Sequence, residues 1–424
     1  MGTVRRLHCP RCSEPGDLAG PPVVCARCGA VMEVEVDLSH RARDLADEIR
    51  RRPRGLWRWR EFLPVESPGA VVSLGEGDTP LVRSGRLSRE AGVERLYIKN
   101  DTLLPTGSLK DRSVTVAIAR AREVKAEAVA VSSTGNHAAS VAAYAAAAGL
   151  PCVVMVPAAT AAGKVLQARV HGATVIAVDA PYDQTAALFR EALKAFGWYS
   201  CLSSNPWRNE GKKSYAFETW EQLDGEAPDW MIHPIAGGLG VAACWKGWRE
   251  LRQLGWTTRI PRLVAAQASA AAPIVAAFEA GQDDVTALTA GPTVAESIAV
   301  GLPALGWHAL RAIAATDGVA AGASDEEILH AQSLLARTTG IFCEPSAAAS
   351  LAVAITLRRR GLIRPTDLVV CVATGHGLKQ PEAARPSAPL HRIEPGLAAV
   401  ETALTRSDAH PLNTPRPSGG SPWP

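Results

Sequence analysis

From about residue 95, short apolar runs alternate with longer stretches whose apolar positions recur at helical spacing. RLYIK (95–99), AVAVS (128–132), PCVVMVP (151–157) and ATVIAVD (173–179) read as strands. DWMIHPI (229–235), RLVAAQ (262–267) and DLVVCVA (367–373) have the same character. SLKDRSVTVAIARAREVK (108–125) predicts a helix with Ser108 as its N-cap; HAASVAAYAAAAG (137–149) predicts one closed by Gly149; AGKVLQARVHG (162–172) predicts a third. An earlier helix is expected over 41–52. Strands this apolar need cover on both faces, so the alternation implies an α/β protein with parallel sheets under helices. A chain of 424 residues has room for two such layers. No internal repeat is visible. Residues 383–424, rich in Pro, Ser and Gly, read as a disordered tail.

Composition adds mainly exclusions. Hydrophobic residues are 47% and charged residues 21%, as in ordinary globular proteins, and the net charge is only +3. Nothing global therefore points to nucleic acid or to a membrane surface. The Arg-rich run RARDLADEIRRRPRGLWRWR (41–60) reads as a solvated helix face and linker. The N-terminus lacks a secretory apolar stretch. SSTGNH (132–137) interrupts the Ala- and Val-rich region before it reaches the roughly 20 residues a membrane span needs. A cytoplasmic protein is expected.

The nine cysteines divide in two. Cys9-Pro-Arg-Cys12 and Cys25-Ala-Arg-Cys28 are paired CxxC knuckles, able to place four thiolates on one Zn²⁺. A four-thiolate shell is closed, so such a metal would be structural. A disulfide reading suits an intracellular enzyme poorly. Cys152, Cys201, Cys244, Cys343 and Cys371 sit among apolar neighbours and read as small buried hydrophobes.

Three loops follow strands, where open parallel sheets bind ligands. IAGGLG (235–240) brings three glycines to a helix start: a phosphate cradle, or a flexible turn. It has neither common nucleotide fingerprint. SSTGNH offers hydroxyls and an amide able to bind a carboxylate or a phenolate oxygen, or simply an N-cap and turn. ATGHGLK (373–379) offers Thr374 to a ring nitrogen; His376 there reads as a turn residue rather than a base. Lys110 starts a helix after a PTGS turn, a rigid seat for an amine that forms a Schiff base. An ordinary solvated lysine is the competing reading.

GEGDTPL (75–81), LPTGSLKDR (104–112), STGNHAASVAAYAAAAG (133–149), NPWRNEGKKSYAFE (205–218), EPSAAASLA (344–352) and TGHGLK (374–379) together resemble the tryptophan synthase β-like group of pyridoxal 5′-phosphate (PLP) enzymes, fold type II. The resemblance covers roughly residues 70–382 and, within the group, is to the threonine synthases. It implies two open twisted, mainly parallel sheets with helices on both faces, plus a small N-terminal zinc ribbon. The implied division is a ribbon at 1–38, a large PLP-binding domain at 39–110 and 206–382, and a small α/β domain at 111–205. Lys110 matches the lysine that carries PLP. Asn136 would contact the cofactor's 3′ oxygen, Ala236, Gly237, Gly238, Leu239 and Gly240 its phosphate, and Thr374 its ring nitrogen. The implied reaction turns O-phospho-L-homoserine and water into L-threonine and phosphate. Ser133, Thr134 and His137 would meet the substrate carboxylate, and Ser203 and Arg208 its phosphate. A homodimer is expected by analogy with this group.

Three departures from the threonine synthase pattern stand out. His137 replaces a threonine, giving a loop more like that of threonine and serine dehydratases. AGGLG replaces GNAGN, losing two asparagines, one of which helps bind substrate phosphate. LPTGSLKDRS replaces NPTGSFKDRG. A related β-eliminating or β-replacing enzyme is therefore the alternative. From another class, a zinc-ribbon regulatory protein on an inactive scaffold is a third reading.

Overall fold

The computed structural model describes residues 1–18, 20, 24–39, 45–386 and 388–405. All seven strands expected from apolar runs are present, with ends shifted by a residue or two: β4 (Arg95–Asn100), β5 (Val129–Ser132), β6 (Cys152–Pro157), β7 (Thr174–Val178), β9 (Trp230–Pro234), β10 (Arg262–Ala268) and β12 (Leu368–Ala373). Five more complete the set: β1 (Val4–His8), β2 (Glu33–Val36), β3 (Leu81–Arg83), β8 (Tyr199–Ser200) and β11 (Val319–Ala323).

They form three sheets. The largest has the order β11-β10-β9-β12-β4-β3, parallel except for the antiparallel edge strand β3. Its alternate residues feed two cores. Trp230, Ile232, Val264, Ala266, Val369 and Cys371 pack with the helices Asp325–Thr339 and Pro345–Arg359. Met231, Leu263, Ala265, Leu368, Val370 and Val372 pack against Ser214–Gln222, Leu239–Gln253 and Gly306–Ala314. A period of two with both faces covered is why these strands read as unbroken apolar runs. Each fully buried Val, Leu or Ile contributes about 1.5–3 kcal/mol.

The second sheet, β7-β6-β5-β8, is wholly parallel. Val129, Val131, Val154 and Val156 pack there on Lys110–Glu123 and the Ala-rich helix Asn136–Ala148. The expectation of two mainly parallel sheets between helices is met. The small third sheet is the antiparallel pair β1-β2.

Three details differ from expectation. Leu109, not Ser108, holds the N-cap position and makes no side-chain bond, while Ser108 Oγ still accepts from Lys110 N–H at 3.4 Å. Ser108 is fully buried and bridges to Gly375. The Arg-rich run is not wholly solvated. Arg52 pairs with Glu61 at 2.6 Å and Arg58, 6% exposed, with Glu221 at 2.7 Å. Of the helix expected over 41–52, Leu45–Arg51 is helical and 41–44 lie outside the described residues. In the expected tail, Leu397–Thr405 is an α-helix, while 406–424 lie outside the described residues. No described helix is long and apolar enough to cross a membrane.

Candidate active site

Lys110 is the first residue of its helix, and the carboxyl end of β12 holds it there. Leu109 N–H donates to the Thr374 carbonyl (2.7 Å), His376 N–H to the Gly107 carbonyl (2.9 Å), and Glu344 N–H to the Gly375 carbonyl (2.9 Å). The PTGS turn and the TGHG turn are thus one hydrogen-bonded unit. The neighbours of Lys110 in sequence are spent on structure. Asp111 accepts from Thr106 N–H, Thr106 Oγ1 and Ser140 Oγ, and burial pushes its carboxyl up to about 6. Arg112 is fully buried and forks onto Asp101 and Glu218. The Lys110 ammonium, by contrast, has no hydrogen-bond or ion-pair partner among the described residues. Burial, then the Arg208 charge, push it down to about 8, against the pull of Glu344.

The other strand-end loops present the remaining predicted residues. Asn136 opens its helix after β5 and donates from Nδ2 to both oxygens of Glu344, at 3.2 and 3.0 Å. Ser297 Oγ donates to the same carboxylate at 3.2 Å. Burial raises the Glu344 pKa despite these donors. Ser133 and Thr134 are half-buried in the turn before Asn136. His137 Nε2 accepts from Arg208 Nε at 3.1 Å, which fixes that nitrogen as unprotonated. Burial, then Arg208, Lys110 and Lys212, hold His137 well below the usual histidine value. Ser203 is half-buried in the turn after β8, ahead of the Asn205-capped helix that carries Arg208. His376 uses Nδ1 to accept from Leu378 N–H and packs edge-on to Phe342, a turn residue as expected.

Ala236, Gly237 and Gly238 lead from β9 into Leu239–Gln253. Gly238 has φ +90°, and a Cβ there would lie 2.5 Å from the Leu305 carbonyl oxygen. Gly238→Ala is expected to displace this loop; were the loop to hold a cofactor phosphate, as the sequence implies, loss of the visible absorbance on dialysis would be about 10-fold faster. Gly237 and Gly135 face open space: a Cβ at either position would meet no atom within 4 Å.

These features suit an anionic, carbonyl-bearing cofactor. The helices at Asn136 and Leu239 begin without a side-chain cap, leaving amide N–H groups for an anion. Two buried polar atoms nearby lack partners, the Arg208 Nη1 donor and His233 Nε2. The amine is free and partly neutral.

Two further residues belong to the site, Glu344 and Lys212. Both lie inside family motifs, EPSAAASLA and NPWRNEGKKSYAFE, yet neither stands out there by residue type alone. Glu344 sits at the N-cap position before Pro345, an acid where a helix start favours one. Lys212 lies four residues after Arg208, a helical turn further on. Those two positions are the signals by which the sequence could have revealed them.

The N-terminal cysteines converge as predicted. Their four sulfurs lie within 4.8 Å of one another, with Cys9 and Cys28 at 3.4 Å and Cys12 and Cys25 at 3.5 Å. Tetrahedral thiolates around zinc would stand about 3.8 Å apart. The remaining five cysteines are buried.

Residues 72–375 match the family described as pyridoxal-phosphate dependent enzyme. The chain is 40% identical to the threonine synthase of Methanocaldococcus jannaschii over 379 residues, 89% of this chain and 93% of that one. It is 40% identical to the threonine synthase of Mycobacterium tuberculosis strain H37Rv over 328 residues, 77% and 88% of the two chains. Among solved structures, maize serine racemase superposes with a TM-score of 0.64 at 20% identity, covering 78% of this chain and 92% of that one. The processed threonine deaminase isoform 2 of Solanum lycopersicum gives 0.62 at 20%, covering 70% and 79%. At such identities these structures speak for the fold alone.

Proposed function

The chain belongs to the pyridoxal-phosphate dependent enzyme family, with the type II fold, and from that premise we propose that it is a threonine synthase. It would be a lyase converting O-phospho-L-homoserine and water to L-threonine and phosphate. The observation that supports the reading is the Lys110 amine, which has no side-chain partner among the described residues and sits where the PTGS turn is hydrogen-bonded to the TGHG turn.

PLP, when bound, supplies an electron sink for charge developing next to the substrate amino group. Lys110 would carry it, Ala236–Gly240 would hold its phosphate, Asn136 its 3′ oxygen and Thr374 its ring nitrogen. A threonine hydroxyl, unlike a carboxylate, does not enforce protonation of that nitrogen. Asn136 is already oriented by Glu344, which fixes the amide before any ligand arrives. Lys110, with its pKa near 8, accepts and returns protons at substrate carbons close to neutral pH. Ser133, Thr134 and His137 would receive the substrate carboxylate, and Ser203 and Arg208 its phosphate. The bond from Arg208 Nε to His137 leaves Nη1 free for an oxyanion. The histidine that departs from the threonine synthase pattern thereby acts as an orienting acceptor for the arginine.

Zinc held by Cys9, Cys12, Cys25 and Cys28 completes the proposal, as do a cytoplasmic location, a homodimer and the division into ribbon, large and small domains. The zinc is supported by the convergence of the four sulfurs.

The test is to mix PLP-loaded protein with O-phospho-L-homoserine and follow products by NMR, with L-threonine and L-serine in parallel. Threonine and phosphate in equal amounts are expected. Inert phosphohomoserine, with 2-oxobutyrate or pyruvate from the hydroxy amino acids, would move the enzyme to the dehydratases.

A further inference from the structure

Lys212 and Lys213 are adjacent, both at most 4% exposed, and have opposite fates. Lys213 Nζ donates to the Phe62 carbonyl at 2.7 Å and pairs with Glu250 at 2.8 Å and Glu210 at 2.7 Å. The Lys212 ammonium has no hydrogen bond or ion pair among the described residues. Holding an unpaired ammonium this far from bulk water is costly, and an anion brought from outside the chain would offset that cost.

Its position is tightly set. The Gly211–Lys213 turn continues the helix that carries Arg208. A Cβ at Gly211 would sit 1.7 Å from the Arg112 carbonyl oxygen, so this turn lies directly against the helix that begins at Lys110. Lys212 and Arg208 are four residues apart, the spacing that stacks side chains on one helical face. Burial, then the charges of Lys110 and Arg208, hold Lys212 well below the usual lysine value. It also bears on His233, which burial and Lys212 push down to about 3 and whose Nε2 is unpartnered. The nearby carboxylates are engaged elsewhere. Asp101 is forked to Arg112 and accepts from Tyr215, and Glu344 is held by Asn136 and Ser297. Lys110, Arg208 and Lys212 therefore act on one another as neighbouring positive groups with no nearby carboxylate left unengaged.

We infer that Lys212 binds a phosphate monoester dianion together with Arg208, an assignment that rests on the phosphorylated-ligand chemistry proposed above. It supplies a donor to an active site whose glycine-rich loop has lost both asparagines of the threonine synthase pattern. The phosphate belongs either to the amino-acid substrate or to PLP, and the two sources separate by experiment.

PLP-loaded wild type, Lys212→Met and Lys212→Arg are compared in two measurements that need no turnover. The first is the Kd for inorganic phosphate by calorimetry; the second is the rate of PLP loss on dialysis, read from visible absorbance. Losing a charged hydrogen bond to a dianion predicts a change of about 10- to 100-fold in one of them for Lys212→Met, largely restored in Lys212→Arg. A change in phosphate affinity alone assigns the substrate phosphate. A change in PLP retention alone assigns the cofactor phosphate. Lys212→Gln serves if Lys212→Met does not fold. Both constants unchanged within about two-fold in a folded, uncharged variant would overturn the assignment. Because neither measurement uses phosphohomoserine, a wild type that fails to turn it over would refute the proposed reaction without touching this result.

Discussion

Lys110→Ala is expected to lower kcat by at least about 10³-fold, the range for a missing acid–base group, or about 4 kcal/mol of barrier. It should also remove the visible absorption of the bound cofactor. A chain that is only a regulatory scaffold would show neither change. The wild-type amine has a pH signature as well. Only a neutral amine attacks a carbonyl, and Lys110 is pushed down to about 8 by burial and by Arg208. The rate at which cofactor-free protein takes up PLP should therefore rise with pH through about 8 and level off above it. An ordinary solvated lysine would keep the rate rising to about pH 10. Stopped-flow absorbance across that range decides between them.

The second large effect is on stability. Arg112 Nε and Nη2 each lie 2.8 Å from Asp101, and Nη1 and Nη2 lie 2.5 and 3.0 Å from Glu218. Lys99 pairs with Glu218 at 2.6 Å, and Tyr215 donates to Asp101 at 2.5 Å. Two cations and two anions thus balance in a fully buried cluster. Arg112→Met keeps the volume but strands a carboxylate, which costs about 3–5 kcal/mol. A fall in Tm of about 3–6 °C is expected by calorimetry for a chain of this length. Arg112→Lys should recover little of it, since one ammonium cannot replace the fork. Burial pushes Glu218 up, but Arg112 and Lys99 more than offset this and hold it at about 2, below its ordinary 4.5. A depressed carboxyl stabilises the fold above its unfolded pKa, and that contribution is lost as pH falls from about 4.5 toward 2. The acid limb of the Tm–pH profile should be flatter in Arg112→Met.

Much of this was legible in the chain, for physical reasons. Strands buried on both faces leave long apolar runs, and β4, β5, β6, β9, β10 and β12 announce themselves that way. Val319–Ala323 does not, because VAAGA has one β-branched residue and owes its strand to pairing with β10. Leu81–Arg83 is three residues on an edge. At the site, motif order brought out Lys110, Asn136 and the glycine loop. What stayed hidden was state rather than identity. The sequence contains Asp111, Arg112, Lys212 and Lys213 as equal charges. Only packing against residues as far as 151 positions away separates the satisfied ones from the unsatisfied. Asn136 and Glu344 are 208 residues apart, so no local pattern could pair them.

The N-terminal ribbon is fastened to late parts of the chain. Arg11 pairs with Asp284 at 2.6 Å, Arg311 donates to the Pro10 carbonyl at 3.0 Å, and His308 Nε2 lies 2.9 Å from the Val31 carbonyl. Val31 packs with Leu239 and Leu305, whose carbonyl borders Gly238. During synthesis the ribbon leaves the ribosome first, and the last of its docking contacts follow roughly 270–300 residues later. At 5–20 residues per second that is a wait of about 15–60 s. Until then the four thiols stand without the complete set of walls that later encloses them. Early capture of a metal ion would protect them from oxidation and deliver a preformed ribbon to the glycine loop. Growth under zinc limitation should then lower the yield of folded enzyme before it lowers the activity of each folded molecule.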